Sequence, residues 1–253
     1  MSEIKPSIYF HVGLERTATT FLQRNVFPHF NGVHYIPKKQ YRVADEIMQQ
    51  NGDGPFFISH EFDRGFEDEI IRFAGRYPHT KTIIVLRPHT GWLVSQYKRY
   101  LKNGYNGSFE TFFDLDNDQG IIRHASLSYS GKIDLLTRSF HTPPLVLLYP
   151  DIQKDPKMII QKIASYLGAS HDPDQMDLSP RHTSYSEKQL KVLRTFFSYF
   201  PAGAKKKWMR YAVLYAAYLI PEFLLNRQPL ISEDYLARIQ EAYKKDWENC
   251  LHK

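Results

Sequence analysis

The sequence predicts a P-loop-like α/β fold of three layers, in which helices flank a central parallel sheet and the C-terminal part is helical. Apolar strand patterns alternate with helical patterns at the spacing of strand–helix–strand units. Two strand runs, 83–86 and 145–148, are apolar throughout, as expected for strands covered on both faces. A strand–turn–helix pattern near the start of the chain has the register of a phosphate-binding loop.

The elements follow one another in a regular order. Strands are predicted at residues 8–12, 33–36, 56–59, 82–86 and 145–149. Helices are predicted between them, at residues 19–26, 66–77, 91–102 and 128–139. Further helices are predicted at 156–167, 186–200 and 232–251. We therefore expect a single domain over residues 1–253, with a nucleotide-binding α/β core in 1–150 and a mainly helical extension in 151–253 that completes the site.

Composition restricts the setting of the protein. The 253 residues suffice for one large α/β domain with a full core, or for two small domains. The net charge of +6 favours an anionic ligand, but the basic residues form no stripe or nucleic-acid module, so we expect no nucleic-acid partner. The single cysteine, Cys250, excludes an internal disulfide and fits a reducing cytoplasm. Charged Glu3 and Lys5 lead directly into the first strand, so no signal peptide is predicted and we expect a cytoplasmic protein.

The turn after the first strand differs from an ordinary phosphate loop. Counted from Gly13, the loop pattern would place a glycine at 18, a lysine at 19 and a serine or threonine at 20. The chain has Ala18, Thr19 and Thr20 at these positions, and its cation, Arg16, lies in the middle of the loop. Backbone N–H groups of such a turn still favour an anion. The missing lysine argues against Mg-ATP or Mg-GTP hydrolysis, where it contacts the β- and γ-phosphates.

A second polar pair follows the strand at 82–86. Arg87 stands at the end of this strand, and Ser95 is on the helix that follows. Ligands of open α/β sheets bind beyond the carboxyl ends of the strands. A guanidinium and a hydroxyl group together would hold a phosphate monoester. The alternative is an arginine that caps the sheet and a serine that packs under a loop.

Taken in order, these segments resemble the sulfotransferases that use 3′-phosphoadenosine 5′-phosphosulfate (PAPS). Residues 13–23, GLERTATTFLQ, resemble the 5′-phosphosulfate loop of that family, and Arg87 with Ser95 resembles its 3′-phosphate motif. Residues 145–156 and 164–168 are similar to a later strand and helix of the family, and 231–247 to the closing helix of its bacterial members. The resemblance covers most of the chain. It implies transfer of a sulfuryl group from PAPS to an acceptor hydroxyl, with adenosine 3′,5′-bisphosphate (PAP) as product.

The resemblance also implies residue roles in donor binding. Arg16 would contact the 5′-phosphosulfate and its bridging oxygen, and Arg87 and Ser95 would bind the 3′-phosphate. The 5′-phosphate would be held by the loop residues Gly13, Thr17, Ala18, Thr19 and Thr20. Ala18 departs from the glycine that the family usually has there. If its φ is positive, alanine is strained by about 1 kcal/mol or more, and an inactive loop is the alternative.

An alcohol acceptor needs a general base within hydrogen-bond reach. The segment 55–63 offers His60 and Glu61, which would point to opposite faces if the strand continues through them. The resemblance favours Glu61, because bacterial and glycan-modifying relatives have a serine two residues before a glutamate, as Ser59 stands before Glu61. His60 is the second candidate, and a surface glutamate is the structural alternative. His11 is expected to be a core histidine or one that supports the site from behind.

The predicted chemistry needs no metal. Arg16 could neutralise the charge that builds up on the leaving oxygen, and no carboxylate stands out as a magnesium ligand. Two further donor contacts are predicted from the resemblance, at Tyr129 and Arg181. Ordinary loop roles are the alternative for both, and helix capping is expected of Ser184 or Ser186.

Residues 205–225 combine three lysines with an aromatic-rich helical pattern. The uncharged run 211–221 is too short to cross a bilayer. The segment could rest on a membrane surface, at the inner face, form a homodimer interface, line an acceptor cleft or pack as a buried helix.

Two other functions remain open from the sequence. One is a nucleotide or small-molecule kinase of the phosphate-loop class, disfavoured because Thr19 replaces the lysine. The other is a non-catalytic nucleotide-binding protein. For a sulfotransferase, a carbohydrate or glycolipid hydroxyl is the favoured acceptor, and a small molecule or phenol is the alternative.

Overall fold

A computed structural model describes residues 7–52, 54–62, 65–179, 185–200, 206–221 and 228–251. The chain divides into two compact units. The first contains the described residues of Met1–Pro88, Tyr129–Ser179 and Asp246–Lys253; the second contains those of His89–Ser128 and Pro180–Lys245. These boundaries do not coincide with the predicted division at residue 150. The single-domain organisation stays a prediction.

The first unit is built on a five-stranded parallel sheet in the order β3-β4-β1-β5-β6. Its strands are β1 Ile8–Gly13, β3 His34–Ile36, β4 Phe56–Glu61, β5 Lys81–Leu86 and β6 Leu145–Leu148. All five predicted strands are present, and the predicted fold class is confirmed. A second, antiparallel pair, β2 Phe30–Asn31 with β7 Ser170–His171, had no sequence signal. Because β1 is central, the carboxyl ends of β4, β1 and β5 adjoin.

Each strand of this sheet is followed by a helix. In the first unit the helices are α1 Thr19–Phe21, α2 Ala44–Asn51, α3 Phe66–Arg76, α6 Tyr129–Phe140, α7 Tyr149–Lys154 and α8 Pro156–Leu167. The helix that begins at α1 continues as a π-helix, Leu22–Val26, and a 3₁₀ turn, Phe27–His29. Other 3₁₀ turns are Lys38–Val43, His124–Leu127 and Pro173–Gln175.

The described residues of the second unit form helices joined by loops. Its helices are α4 His89–Lys102, α5 Phe109–Phe112, α9 Glu187–Tyr199, α10 Lys207–Leu219 and α11 Glu233–Leu251, whose last residues, from 246, belong to the first unit. The short helices α2, α5 and α7 were not predicted. The predicted capping role of Ser186 is confirmed, since it forms a reciprocal capping box with Gln189 at the start of α9. Ser184 lies outside the described residues.

Apolar side chains alternate along the strands and form a core on each face of the sheet. On one face, Phe10 and Val12 of β1 pack in a cluster that includes side chains of α2, α3 and α6. On the other face, Tyr9 belongs to a cluster with Leu22, Val26 and the apolar side of α8. The second unit has its own core, built from aromatic and aliphatic side chains that include Tyr97, Phe109, Phe112 and Phe197.

A distant carboxylate caps α6. The side chain of Asp246, on α11, accepts hydrogen bonds from the backbone N–H groups of Tyr129 at 2.9 Å and Ser130 at 3.1 Å, and from the Ser130 hydroxyl. The first N–H groups of a helix have no partner within the helix, and a negative charge is favourable there. Burial lowers the pKa of Lys132, one turn further on, to about 8, and the charge of Asp246 opposes this shift.

Asp246→Ala should lower the free energy of unfolding by about 1–3 kcal/mol, because it leaves helix N–H groups at a partly buried site without their acceptor. Chemical denaturation followed by circular dichroism measures the change. Glu248→Ala, an exposed position on the same helix, is the matched control. Equal losses in the two variants would contradict the capping role.

Candidate functional site

Gly13, at the end of β1, is closely packed on two sides. In the parallel register it pairs with Glu61, the last residue of β4, and the backbone N–H of Phe62 donates to its carbonyl at 3.1 Å. A Cβ atom at position 13 would lie 2.9 Å from Glu61 Cγ and 3.0 Å from Thr19 Cγ2. Glycine is needed here for space. The loop therefore begins in direct contact with one of the two candidate bases.

The loop between β1 and α1 holds two residues in the left-handed region. Arg16 has φ of 67° and Ala18 has φ of 65°. Non-glycine residues pay about 1 kcal/mol or more for this conformation, and such residues cluster at ligand-binding sites. The sequence left open whether φ of Ala18 is positive. It is positive in the structure, so Ala18 is strained.

Hydrogen bonds hold the strained loop in place. The Thr17 hydroxyl donates to the Leu14 carbonyl at 2.7 Å, and the Leu22 N–H donates to the Ala18 carbonyl at 3.1 Å. Thr17 and Thr19 are buried, whereas the side chains of Arg16 and Thr20 are exposed. The hydroxyl proton of Thr17 is thus used inside the loop, while Arg16 and Thr20 lie at its surface.

Arg87 contacts the same loop from the end of β5. Its Nη1 donates to the Arg16 carbonyl at 3.2 Å, and its guanidinium lies 4.4 Å from the centre of the Tyr149 ring. Burial lowers the pKa of Arg87, and the positive charge of Arg16 acts in the same direction. The structure therefore brings two predicted donor-binding residues together, on neighbouring strand ends. Because the charge of Arg16 acts on Arg87, an anion bound beside the two arginines would be favourable.

Three further donor contacts were predicted, at Ser95, Tyr129 and Arg181. Ser95 is buried on α4, in the second unit, as predicted for its helix. Tyr129 is 1% exposed and packs edge-on against Trp247, so burial raises its pKa. Its ring belongs to the core beneath α6. Arg181 lies outside the described residues. The donor roles of all three stay predictions.

The strand β4 continues through both candidate bases, so His60 and Glu61 point to opposite faces. The His60 ring packs on Tyr41 and Phe62, with ring centres 4.3 and 4.8 Å away. Burial lowers the pKa of His60, and the charge of Lys38 adds to this effect. Within the described part of the chain, its buried Nδ1 has no hydrogen-bond partner. His60 is thus a partly buried residue that packs on aromatic side chains, on the face opposite Glu61.

Glu61 lies beside the loop, and its side chain is 11% exposed. Its carboxylate forms an ion pair with Lys38, the first residue of the 3₁₀ turn that follows β3. Lys38 had not been identified from the sequence. The two residues are 23 positions apart, and the pairing of β3 with β4, Ile36 opposite Ile58, brings them together. The only sequence signal for Lys38 was its position as a charged residue just after a predicted strand.

A buried polar group lies beneath the loop. His11 Nδ1 is 2.8 Å from the Ser59 hydroxyl oxygen, which also accepts a hydrogen bond from Gln23 Nε2 at 3.0 Å. These side chains link β1 and β4 to the π-helix that follows the loop. His11 is fully buried, and burial lowers its pKa to about 3. It is a neutral core histidine, in agreement with the sequence prediction.

The buried His11 should make stability depend on pH. Its folded pKa of about 3 lies below the unfolded value near 6.5, so between these values the unfolded chain binds a proton that the native state does not. The free energy of unfolding should fall by about 1 kcal/mol for each pH unit as the pH decreases through this window. Denaturation at a series of pH values measures the slope.

In His11→Gln the fall in the free energy of unfolding should be smaller by about 1 kcal/mol for each pH unit, because one fewer proton is taken up on unfolding. The matched control is His79→Gln, because His79 is an exposed histidine of the same unit. If wild type and His11→Gln show the same slope, His11 does not carry the pH dependence.

Fold and loop define a P-loop-like α/β protein in which Thr19 stands at the position of the usual lysine and Arg16 lies within the loop. A family model described as sulfotransferase domain matches residues 9–213, which is most of the chain. The chain therefore belongs to the sulfotransferase domain family, whose members are enzymes of sulfuryl transfer. The predicted family is confirmed.

Two solved sulfotransferase structures are similar to this chain. The sulfotransferase from Alicyclobacillus acidocaldarius has 17% sequence identity and a TM-score of 0.54, and the match covers 83% of this chain and 96% of that chain. Mouse sulfotransferase SULT7A1 complexed with PAP has 14% identity and a TM-score of 0.45, over 68% of this chain and 62% of that chain. No curated protein sequence matches the chain. The match to the bacterial enzyme supports the fold.

Proposed function

We propose that the protein transfers a sulfuryl group from PAPS to an acceptor hydroxyl. The main structural support for this proposal is the strained loop after β1, which contacts Arg87 on one side and Glu61 on the other. Membership of the sulfotransferase domain family supports the reaction class. The assignment of individual residues is our own inference from this geometry.

The residues present fit a donor with two anionic ends. Arg16 would hold the 5′-phosphosulfate, together with Gly13, Thr17, Ala18, Thr19 and Thr20 of the loop. Arg87 would bind the 3′-phosphate, with Ser95 of α4 as its proposed partner. In support, the positive charge of Arg16 acts on Arg87, so an anion beside them would relieve repulsion. Selectivity for PAPS over ordinary nucleotides then rests on Arg87.

Glu61 is the proposed general base, for three reasons. It lies on the same face as the loop, its Cγ would be within 2.9 Å of a Cβ at Gly13, and Lys38 orients its carboxylate through the ion pair. His60 faces an aromatic cluster on the other side of the sheet. His60 stays the second candidate.

The proposed reaction is a direct in-line displacement. Glu61 accepts the proton of the acceptor hydroxyl while the acceptor oxygen–sulfur bond forms and the bond from sulfur to the 5′-phosphate oxygen breaks. Arg16 neutralises the charge that develops on this leaving oxygen, and the product nucleotide is PAP. In the described part of the chain, no group of three or more His, Cys, Asp or Glu side chains is placed to hold a metal. Independence from metal stays a prediction.

For the acceptor, we propose a carbohydrate or glycolipid hydroxyl, with a small molecule or phenol as the alternative. This choice rests on the resemblance of the Ser59–Glu61 segment to glycan-modifying relatives. A screen of acceptors with labelled donor distinguishes these classes.

The donor site predicts a nucleotide preference. PAP should raise the melting temperature more than ADP does, because ADP has no 3′-phosphate for Arg87. Arg87→Ala should weaken PAP binding about tenfold or more, as expected for the loss of a charged hydrogen bond. Thermal shift and calorimetry measure the two effects. Arg138→Ala, an exposed arginine on α6, is the control.

Two results would contradict this donor assignment. Stabilisation by Mg-ATP but not by PAP would favour a kinase. Equal PAP affinity in wild type and Arg87→Ala would remove Arg87 from the site while leaving the reaction class open.

The base assignment predicts unequal losses of activity. Glu61→Gln should lower kcat about 10²–10⁴-fold, because it removes the proton acceptor but keeps the shape of the side chain. His60→Ala should lower kcat by less than about tenfold, since its ring faces the aromatic cluster. Turnover with a labelled donor and PAP affinity are measured for both variants.

PAP affinity separates chemistry from structure in this comparison. If Glu61→Gln loses PAP binding together with turnover, Glu61 supports the loop and is not the base. A larger loss of kcat in His60→Ala than in Glu61→Gln would transfer the role to His60.

A further inference from the structure

Helix α10 has two apolar faces. One face is buried in the second unit through Val213, Leu214 and Ala217. The opposite face, here called the aromatic face, consists of the exposed side chains Trp208, Tyr211, Tyr215, Tyr218 and Leu219, which are 67%, 50%, 73%, 71% and 76% exposed. These positions recur every three or four residues and so lie on one side of the helix. A helix that is apolar all round is normally buried.

Exposed apolar residues are concentrated in this part of the chain. The described residues include twelve exposed large hydrophobic side chains, and seven of them fall between Tyr199 and Leu219. Besides the aromatic face, these are Tyr199 and Phe200, at the end of α9, which packs against α10. Exposed apolar residues in such concentration mark a surface that another body covers.

The charge of the same segment is entirely positive. Between Tyr199 and Pro221 the sequence has four basic residues and no acidic one, with lysines at 205, 206 and 207 and an arginine at 210. Lys206 is exposed at the start of α10. Lys102 of α4 adds a cation 5.7 Å from the centre of the Tyr211 ring. The covering body is therefore expected to be anionic.

We propose that α10 lies in the surface of an anionic phospholipid bilayer, with the aromatic face among the lipids. Tyrosine and tryptophan have apolar rings with a polar tip, and they prefer the wet interface between acyl chains and headgroups. Lysines beside such a helix are attracted to anionic lipids. Within the described residues, no helix is long and apolar enough to cross a bilayer.

Charge argues against a second copy of the chain as the occupant. A two-fold dimer through the aromatic face would bring the same patch of both copies together. The interface would then carry the basic residues of both copies, without an acidic residue of this segment to pair with them, and these like charges would repel. An anionic bilayer has the complementary charge and no such repulsion.

Vesicle flotation with the full-length protein tests the proposal, without donor or acceptor, so the result is independent of the proposed sulfuryl transfer. The protein should float with vesicles of phosphatidylcholine and phosphatidylglycerol and remain unbound with phosphatidylcholine alone. High salt should release it, because the attraction of surface charges is screened. The double variant Tyr215→Ser with Tyr218→Ser should bind about tenfold or more weakly, since it removes two aromatic rings from the lipid contact.

Ile71→Ser is the matched control, because Ile71 is an exposed apolar residue on α3, in the first unit. It should float as wild type does. Melting temperatures confirm that the variants fold, and the salt titration of the wild type keeps the proposal testable if the double variant does not.

Three results would overturn the proposal. They are absence of flotation with anionic vesicles, equal binding to both vesicle types, and equal binding of the double variant and wild type. Sedimentation velocity supplies a fourth: a wild-type dimer that the double variant dissociates would assign the aromatic face to a second copy.

Discussion

Close packing at the end of β1 is the constraint on which the site depends. The parallel register sets Gly13 opposite Glu61, and the space between these strand ends and Thr19 admits no side chain at position 13. The same contact fixes where the loop begins and where the Glu61 carboxylate lies. Arg87 joins them because β5 is the other neighbour of β1. Three adjacent strand ends thus supply the loop, the cation and the proposed base.

The loop combines strain with support. Arg16 and Ala18 both have positive φ, each at a cost of about 1 kcal/mol or more. Hydrogen bonds from the Thr17 hydroxyl, the Leu22 N–H and Arg87 hold this conformation. Alanine also restricts the unfolded chain more than glycine would, which offsets part of the cost. In the proposed donor site, a loop held in this way would be arranged for an anion before one binds.

In the first unit, buried and partly buried polar side chains bond to partners from different elements. His11, Ser59 and Gln23 connect two strands with the helix after the loop. Asp246 connects the end of α11 with the start of α6. Buried polar groups of this kind are costly when one partner is lost, so they hold the elements in one arrangement. The arrangement of these elements therefore depends on residues outside the proposed donor site.

The sequence alone determined the order of strands and helices, the parallel α/β class, the loop at Gly13 and the family resemblance, because hydrophobic periodicity and short motifs are local. Tertiary structure decided the rest. The positive φ of Ala18, the burial of Tyr129, the Lys38–Glu61 ion pair and the cap from Asp246 all depend on contacts across 23 to 117 positions or on the packing of whole elements. Likewise, only packing decided which face of α10 is buried and which is exposed, since both faces are apolar in sequence.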